Sequence, residues 1–137
     1  MPLPEILDIW FKINESKLRK EILAIEEIAI SDIANNLDIP YREKEGTDDW
    51  NLTPKMFIEN IEKEHYHRKQ TMKADLQYPI ELYFHKNQRI ILDGVHRFTK
   101  AIHLGHTTIK VRKVSEKIAQ KTKRTGKEYK KRKWESL

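Results

Sequence analysis

Five consecutive residues in the second half of the chain could hold a phosphate group. They are Asp93, Gly94, Val95, His96 and Arg97, at the point where an apolar run ends and a predicted helix begins. The start of a helix has free backbone N–H groups and the positive end of the helix dipole, so it attracts anions. Gly94 lets the backbone approach a ligand closely, and His96 and Arg97 add side-chain donors. We therefore predict phosphate binding by Gly94, the backbone of Val95, His96 and Arg97.

Alternatives stand beside this interpretation. Asp93 suits a metal ion, a hydroxyl group or the neighbouring arginine, but its commonest task at such a place is to cap the helix. The pair His96-Arg97 could simply decorate the helix surface. However, a cation at a helix N-terminus is unfavourable unless it meets an anion. We therefore take Asp93 and His96 as catalytic candidates.

The surrounding pattern predicts a compact unit of strands and helices. Alternation and β-branched or aromatic residues predict strands at 78–84, 89–92 and 107–114. An apolar stripe predicts a helix at 95–104, with Gly105 as its C-cap. Upstream, the pattern predicts a helix at 15–24, a strand at 25–30, a short helix at 32–36, a helix starting at Thr53-Pro54 and another over 62–74. In the last of these, Tyr66 and Met72 are expected to face inward.

One family resemblance follows from these residues. Tyr78-Pro79-Ile80, then Ile91-Leu92-Asp93-Gly94-Val95-His96-Arg97, then Ala101 and Gly105, resemble the ParB/sulfiredoxin superfamily. The resemblance covers roughly residues 25–114. Members share a sheet hairpin, a Gly-x-His-Arg-type turn that opens a helix, and a following strand. In this superfamily the turn binds nucleotide phosphates, which implies the same role for Gly94 to Arg97.

The superfamily contains several chemistries, so the fold does not select one. Sulfiredoxins place a catalytic Cys before the His-Arg pair, whereas this chain has Val95 there and no Cys at all. Without a thiolate, sulfiredoxin activity is excluded. ParB partition proteins continue into a helix-turn-helix and a dimerisation region, and this chain ends about twenty residues past the last predicted strand, so a full partition protein is not expected. A third branch resembles free-serine kinases, in which an upstream Glu acts as base. A fourth branch consists of ParB-like nucleases.

Composition favours one small soluble domain. The 137 residues are 35% charged and 38% hydrophobic, and no apolar run approaches the length of a membrane span. The N-terminus shows no secretory signal, and the absence of Cys excludes disulfides and thiolate metal sites. The histidines are scattered, so a zinc site is not expected. We expect a cytoplasmic protein without a membrane partner.

A long polar segment at 38–52 holds five acids. Loops of this length are usually functional or mobile, although a solvated acidic surface is the plain alternative. Glu43 and Glu45 are the first candidates for a general base or a Mg²⁺ ligand, followed by Asp48 and Asp49. Arg42 could reach phosphate or offset these acids. Tyr41 and Trp50 could stack on a base, although packing is the more ordinary role.

Positive charge is concentrated at the C-terminal end. Residues 112–137 contain eleven Lys and Arg and three acids, a net charge of +8, while the rest of the chain is at −2. A solvated basic arm and a nucleic-acid contact are both open interpretations, the latter through salt-sensitive phosphate contacts. The residues that would make these contacts are Lys123, Arg124, Lys127, Lys130, Lys131 and Arg132.

These observations combine into one hypothesis. The fold class is α+β, a small mixed sheet with flanking helices in a single ParB/sulfiredoxin-like domain. Its parts are an N-terminal helical extension (1–24), the domain (25–114) and a basic arm (115–137). The expected function is binding of a nucleotide (ATP, ADP or CTP), with Mg²⁺, at Asp93–Arg97, and phosphoryl transfer or nucleotide hydrolysis if the protein is an enzyme. The alternatives are a DNA- or RNA-binding protein or nuclease that uses the arm, and a non-catalytic binding module. The oligomeric state stays open.

Overall fold

The computed structural model describes residues 5–42 and 51–125. The α-helices are α1 (Glu15–Lys20), α2 (Pro54–Glu59), α3 (His65–Lys73), α4 (Val95–His103) and α5 (Glu116–Lys121). The strands are β1 (Ile25–Ala29), β2 (Ile80–His85), β3 (Gln88–Asp93) and β4 (Thr108–Val114). Short 3-10 helices lie at Glu5–Leu7, Trp10–Lys12, Ile30–Asp38 and Ile61–Lys63. Within the described residues, no helix is long and apolar enough to span a membrane.

The strands and the helix predicted around the Asp-Gly turn are confirmed to within two residues. The hairpin turn consists of Lys86 and Asn87, both with positive φ, as suits a tight turn. Upstream, the predicted helix at 15–24 ends already at Lys20, and the predicted short α-helix at 32–36 is a 3-10 helix. Tyr66 and Met72 were expected inside, and this was wrong: they are 60% and 41% exposed.

The four strands form one mixed sheet in the order β1-β4-β2-β3. β1 and β4 are antiparallel, β2 and β4 are parallel, and β2 and β3 form an antiparallel hairpin. A β-bulge at Glu81/Leu82 shifts the register, so that Glu81 lies opposite Asp93 and Leu82 opposite Ile91. Helices flank this sheet in a single small domain, which confirms the predicted α+β class.

One face of the sheet packs against α4. Gly94, which precedes this helix, lies directly against Ile80 of β2. Along a strand, side chains alternate between faces, so Leu82 shares this face with Ile80. α4 contributes Val95, Phe98 and Ala101 to the same core, each at most 4% exposed. The helix is therefore held firmly at its first turn, where the predicted phosphate site lies.

The opposite face is covered by both ends of the described chain. Trp10 Nε1 donates to the carbonyl of Leu92 at 3.1 Å, and Leu7, Ile13 and Leu18 are fully buried. Ala119 of α5 is fully buried too. The described parts of the predicted extension and arm thus pack onto the domain, and they share one hydrophobic core with it.

Side chains seal the outer edge of β3. The hydroxyl of Tyr41 accepts from the amide of Ile91 at 2.8 Å and donates to Asn36 Oδ1. The carbonyl of Arg89 accepts from the side-chain amides of Asn35 and Asn36, both at 3.0 Å. These bonds satisfy backbone groups that an unpaired edge strand would leave open. They also fix residues 35–41 beside the strand that leads to the turn.

Candidate functional site

Gly94 is required by the backbone and by packing. Its φ is +105°, and a Cβ atom at this position would lie 2.7 Å from Cγ2 of Ile80. A residue with a Cβ atom would therefore be strained in this backbone conformation and would clash with Ile80. We predicted that this glycine lets a ligand approach the backbone closely. In the structure, it is Ile80 of β2 that lies close to it.

The first turn of α4 lacks a side-chain cap. Gly94 is the N-cap residue and supplies no capping side chain, and the amide of Phe98 is bonded to the Gly94 carbonyl at 2.9 Å. The preceding amides, those of Val95, His96 and Arg97, have no acceptor within the helix. The helix N-terminus therefore keeps the geometry that an anion can use.

Asp93 does not cap this helix, contrary to the alternative drawn from the sequence. Its Oδ2 atom accepts from Arg19 Nε at 3.1 Å and from an Nη of Arg97 at 3.4 Å. Its side chain is only 13% exposed. Two guanidinium groups thus share this carboxylate, so the pairing with an arginine that we considered is the one the structure shows.

Arg97 is engaged on two sides. Besides Asp93, its other Nη donates to the carbonyl of Pro79. These bonds hold the guanidinium between the start of β2 and the end of β3. Its charge lies at the turn, and these bonds use two of the five N–H donors of the guanidinium, so a phosphate contact is compatible with them.

His96 points into a small cavity. Burial chiefly, and then the positive charges of Arg42, His67 and Arg97, lower the pKa of His96 to about 3. The imidazole is therefore neutral near pH 7 and serves as a hydrogen-bonding group, not as a cation. Its Nε2 atom is buried without a hydrogen-bond partner among the described residues. We predicted that His96 contacts phosphate, and its Nε2 atom is the one that this cavity offers for a hydrogen bond.

The cavity beside His96 has a volume of about 20 Å³, which is room for one water-sized group. Its walls are mainly apolar, with Leu52, Phe57 and Val95 among them. Besides His96 Nε2, the hydroxyl of Thr71 is a buried polar atom without a partner in the described part of the chain. A single oxygen of a ligand or a water fits this space, whereas a nucleoside does not.

Arg42, one of the predicted phosphate-binding residues, lines this cavity. Its Nη1 donates to the Tyr41 carbonyl at 3.2 Å, and its guanidinium carbon lies 5.2 Å from the centre of the Trp10 ring. Its backbone pairs with Leu52 on both sides, at 3.3 and 2.9 Å. These two backbone hydrogen bonds fix the position of Arg42. The residues between Arg42 and Asn51 lie outside the described part of the chain.

Two residues of this site were missed from the sequence. His67 and Thr71 of α3 line the cavity, and the rings of His67 and His96 have centroids 6.1 Å apart. The sequence pairs His67 with its near neighbour His65, but residues two apart lie on different sides of a helix. The useful spacing was His67 to Thr71, four residues apart and therefore on one face.

Other predicted residues are not brought to this site. Lys123 pairs through its backbone with Ile13, and the amide of Arg124 donates to the Lys12 carbonyl at 2.7 Å. Both lie against the N-terminal segment. The remaining candidates fall outside the described residues: Glu43, Glu45, Asp48, Asp49, Trp50, Lys127, Lys130, Lys131 and Arg132. Within residues 5–42 and 51–125, no group of three or more metal-binding side chains comes together.

Comparisons with known proteins identify no relative. The sequence matches no protein-family model, and neither curated proteins nor solved structures give a significant match. The resemblance to the ParB/sulfiredoxin superfamily thus stays a prediction from the turn and its context. The site consists of a helix N-terminus with Arg97 at its first turn, and a small cavity lined by the neutral His96 and by Arg42.

Proposed function

We propose that this protein binds the phosphate groups of a nucleotide at the first turn of α4. One observation carries the proposal: Arg42, His67, His96 and Arg97 surround a single helix N-terminus. Asp93, the carboxylate beside them, is already shared by two arginines. Arg42 and Arg97 bring positive charge to this turn, whereas His96 is neutral near pH 7. The free amides of the turn add partial positive charge.

The geometry assigns each group a part. Backbone amides of Val95 and His96 would hold a phosphate oxygen, and His96 Nε2 would donate or accept one further hydrogen bond from the cavity side. Arg42, which lines the cavity, would supply a charge-assisted contact, and Arg97, positioned by Pro79 and Asp93, would supply a second from its other N–H groups. The cavity accommodates one oxygen, so the nucleoside would lie outside it, towards Arg42 and Leu52. The superfamily resemblance implies the same ligand at this turn.

If chemistry follows binding, it would be phosphoryl transfer or nucleotide hydrolysis. In that case the turn and Arg42 would stabilise the charge that develops on the phosphoryl group. Glu43 directly follows Arg42 in the chain, and Glu45 comes two residues later. Either carboxylate would be the base or a ligand of Mg²⁺, which neutralises phosphate charge in such reactions.

The test is a thermal-shift screen with ATP, ADP, CTP and GTP, each with and without Mg²⁺. A ligand that binds only the folded state raises the melting temperature by mass action. We expect a rise with one nucleotide that is lost in Arg42→Ala and in His96→Ala. The matched control is Arg89→Ala, which removes an exposed arginine from the far end of β3. Arg97→Ala is avoided, because it would break the contact with Pro79.

Either of two outcomes would contradict the proposal. One is the absence of a shift with every nucleotide. The other is an equal loss of the shift in Arg42→Ala and Arg89→Ala, which would show an effect of net charge only.

A second candidate function, binding of DNA or RNA through the C-terminal arm, is supported by the net charge of +8 over residues 112–137. The structure changes how this is tested, because α5 and residues up to Arg124 pack against the N-terminal segment. Removal of residues 126–137 leaves those contacts in place. We propose that this shorter deletion weakens polynucleotide binding and leaves nucleotide binding intact.

A further inference from the structure

A second basic surface lies on α3, away from the first turn of α4. A groove of about 610 Å³ runs between this helix and the C-terminal end of α4. Its lining includes His65, Arg68, Lys69, Met72, Lys73 and His103. The groove is a different space from the cavity beside His96, and the two share no lining residue.

Packing explains only one face of α3, the one that carries His67 and Thr71. Thr71 is its one fully buried side chain, and its sequence HYHRKQTMK contains three Lys and Arg and no acid. The helix is instead docked by a lysine of α4: Lys100 Nζ donates to the carbonyls of Met72 and Ala74, at 3.0 and 2.7 Å. Such a helix is polar on nearly every side, and a polar surface of this kind is typical of a helix that binds a partner or is held by other contacts.

Two of its lysines stand together without a counter-charge. Lys69 and Lys73 are four residues apart, so they share one face of the helix, and both are exposed. Arg68 has an ion pair with Glu62, whereas neither lysine has an ion-pair partner in the described part of the chain. Like charges at this spacing destabilise a helix slightly. An anionic partner would remove that cost.

We propose that this groove, lined by α3 and His103, binds the sugar-phosphate backbone of a nucleic acid. Lysines four residues apart on a helix lie about 6 Å apart along its axis, which suits a chain of charges better than one isolated phosphate. Met72 in the groove and Tyr66 beside it are 41% and 60% exposed and offer apolar contact to bases.

The shape of the surface distinguishes this ligand from other anions. A membrane surface would require a helix with one apolar face, and α3 has none. The groove lining includes one acid, Glu62, which pairs with Arg68, so that Lys69 and Lys73 leave an excess of positive charge. A groove with this charge and an apolar contact matches a polymer that carries both phosphates and aromatic bases. The binding is sequence-independent, because its contacts are to phosphate. It does not depend on the nucleotide site proposed above.

The experiment measures binding of a fluorescent 20-nucleotide oligo(U) and its DNA equivalent by anisotropy, with the full chain at several salt concentrations. The variant is Lys69→Gln with Lys73→Gln. Its control, Lys110→Gln with Lys117→Gln, removes two exposed lysines from β4 and α5. Both variants have the same net charge. Thermal melting of each variant confirms that it is folded.

We expect the groove variant to bind at least about tenfold more weakly than the control variant. We also expect its slope of log affinity against log salt to fall by about 1.5, as for the loss of two phosphate contacts. Equal weakening in both variants would overturn the proposal, since it would show a general charge effect or binding by the arm alone. Absence of oligonucleotide binding by the unmodified chain would also overturn it. The nucleotide-induced thermal shift is unaffected by the groove variant, so the two proposals fail separately.

Discussion

At the residue scale, Gly94 and Gly105 both have positive φ, at +105° and +82°, but their surroundings differ. A Cβ at Gly94 would meet Ile80 at 2.7 Å, whereas a Cβ at Gly105 has nothing within 4 Å. At Gly105 glycine is thus favoured by the backbone conformation alone, whereas at Gly94 it is also required by the lack of space for a Cβ atom. The distinction matters for the site, because Gly94 sets the position of the first turn of α4.

Replacement of each glycine by alanine measures this difference. Gly105→Ala should cost about 1 kcal/mol, the conformational penalty alone. Gly94→Ala should cost roughly 3 kcal/mol, since overpacking against β2 adds to it. Urea unfolding of both variants gives the comparison. Similar losses in the two variants would mean that α4 shifts easily away from Ile80.

The neutral state of His96 makes stability depend on pH. Its pKa is about 3 in the folded protein and near 6.5 ordinarily, so the unfolded chain takes up a proton first as the pH falls. Stability from this residue is complete above pH 6.5 and is lost progressively below it. Between pH 7 and pH 5, the wild type should therefore lose roughly 2 kcal/mol relative to His96→Gln.

Urea unfolding at pH 7 and pH 5 tests this, with the exposed His106→Gln as control. The control should follow the wild type. If His96→Gln also runs parallel to the wild type, the imidazole is charged in the folded protein, and its proposed part at the phosphate site changes.

At the scale of elements, the edge of β3 depends on one side chain. Tyr41 bridges Asn36 and the amide of Ile91, and it is fully buried. Burial raises the pKa of its hydroxyl well above the usual value, so the group stays protonated and able to donate. The strand that ends in Asp93 is thereby tied to the segment that carries Arg42.

Tyr41→Phe removes this bridge with little change in volume. The buried amide of Ile91 and the buried side chain of Asn36 each lose a partner, so we expect a loss of about 2–3 kcal/mol. Hydrogen exchange of the Ile91 amide should accelerate more than that of Leu82, which lies in the central strand. Unchanged exchange at Ile91 would mean that a water replaces the hydroxyl.

Elements near the turn could be predicted from sequence because their patterns are local. Alternation gave β2, β3 and β4, and the apolar stripe with Gly105 gave α4. The contribution of α3 to the site could not be obtained this way. Its residues His67 and Thr71 meet His96 only through packing of two helices some thirty residues apart in the chain. The apolar character of Tyr66 and Met72 was misleading, because a short polar helix leaves such side chains outside.

At the scale of the whole molecule, a buried ion pair connects two strands of the sheet to the segment that follows α1. Glu81 of β2 pairs with Arg112 of β4 at 3.0 Å, and both side chains are at most 9% exposed. Arg112 also donates to the carbonyl of Glu21, which follows α1. Burial, and then the charge of Asp93, raise the pKa of Glu81 to about 7. The arginines at positions 112, 97 and 19 oppose this rise.

Glu81 therefore acts on stability in the opposite direction from His96. The folded protein holds its proton up to about pH 7, whereas the unfolded chain releases it near 4.5. Its contribution is largest below pH 4.5 and declines as the pH rises to 7, by up to roughly 3 kcal/mol. In Glu81→Gln this decline should disappear, and in the exposed Glu59→Gln it should persist. Urea unfolding between pH 4.5 and 7.5 measures the slopes, and equal slopes in both variants would show Glu81 to be ionised throughout.

The contact between residues 12–14 and residues 122–124 has a consequence for how the protein is synthesised. The amide of Asn14 donates to the carbonyl of Thr122 at 2.8 Å, and that of Arg124 to Lys12. Residues 12–14 therefore complete their backbone pairing only after residues more than a hundred positions later have been synthesised. Until Arg124 leaves the ribosomal tunnel, the apolar side chains of Leu7, Ile13 and Leu18 lack part of their cover. A nascent chain stalled before this point is the form most in need of a chaperone.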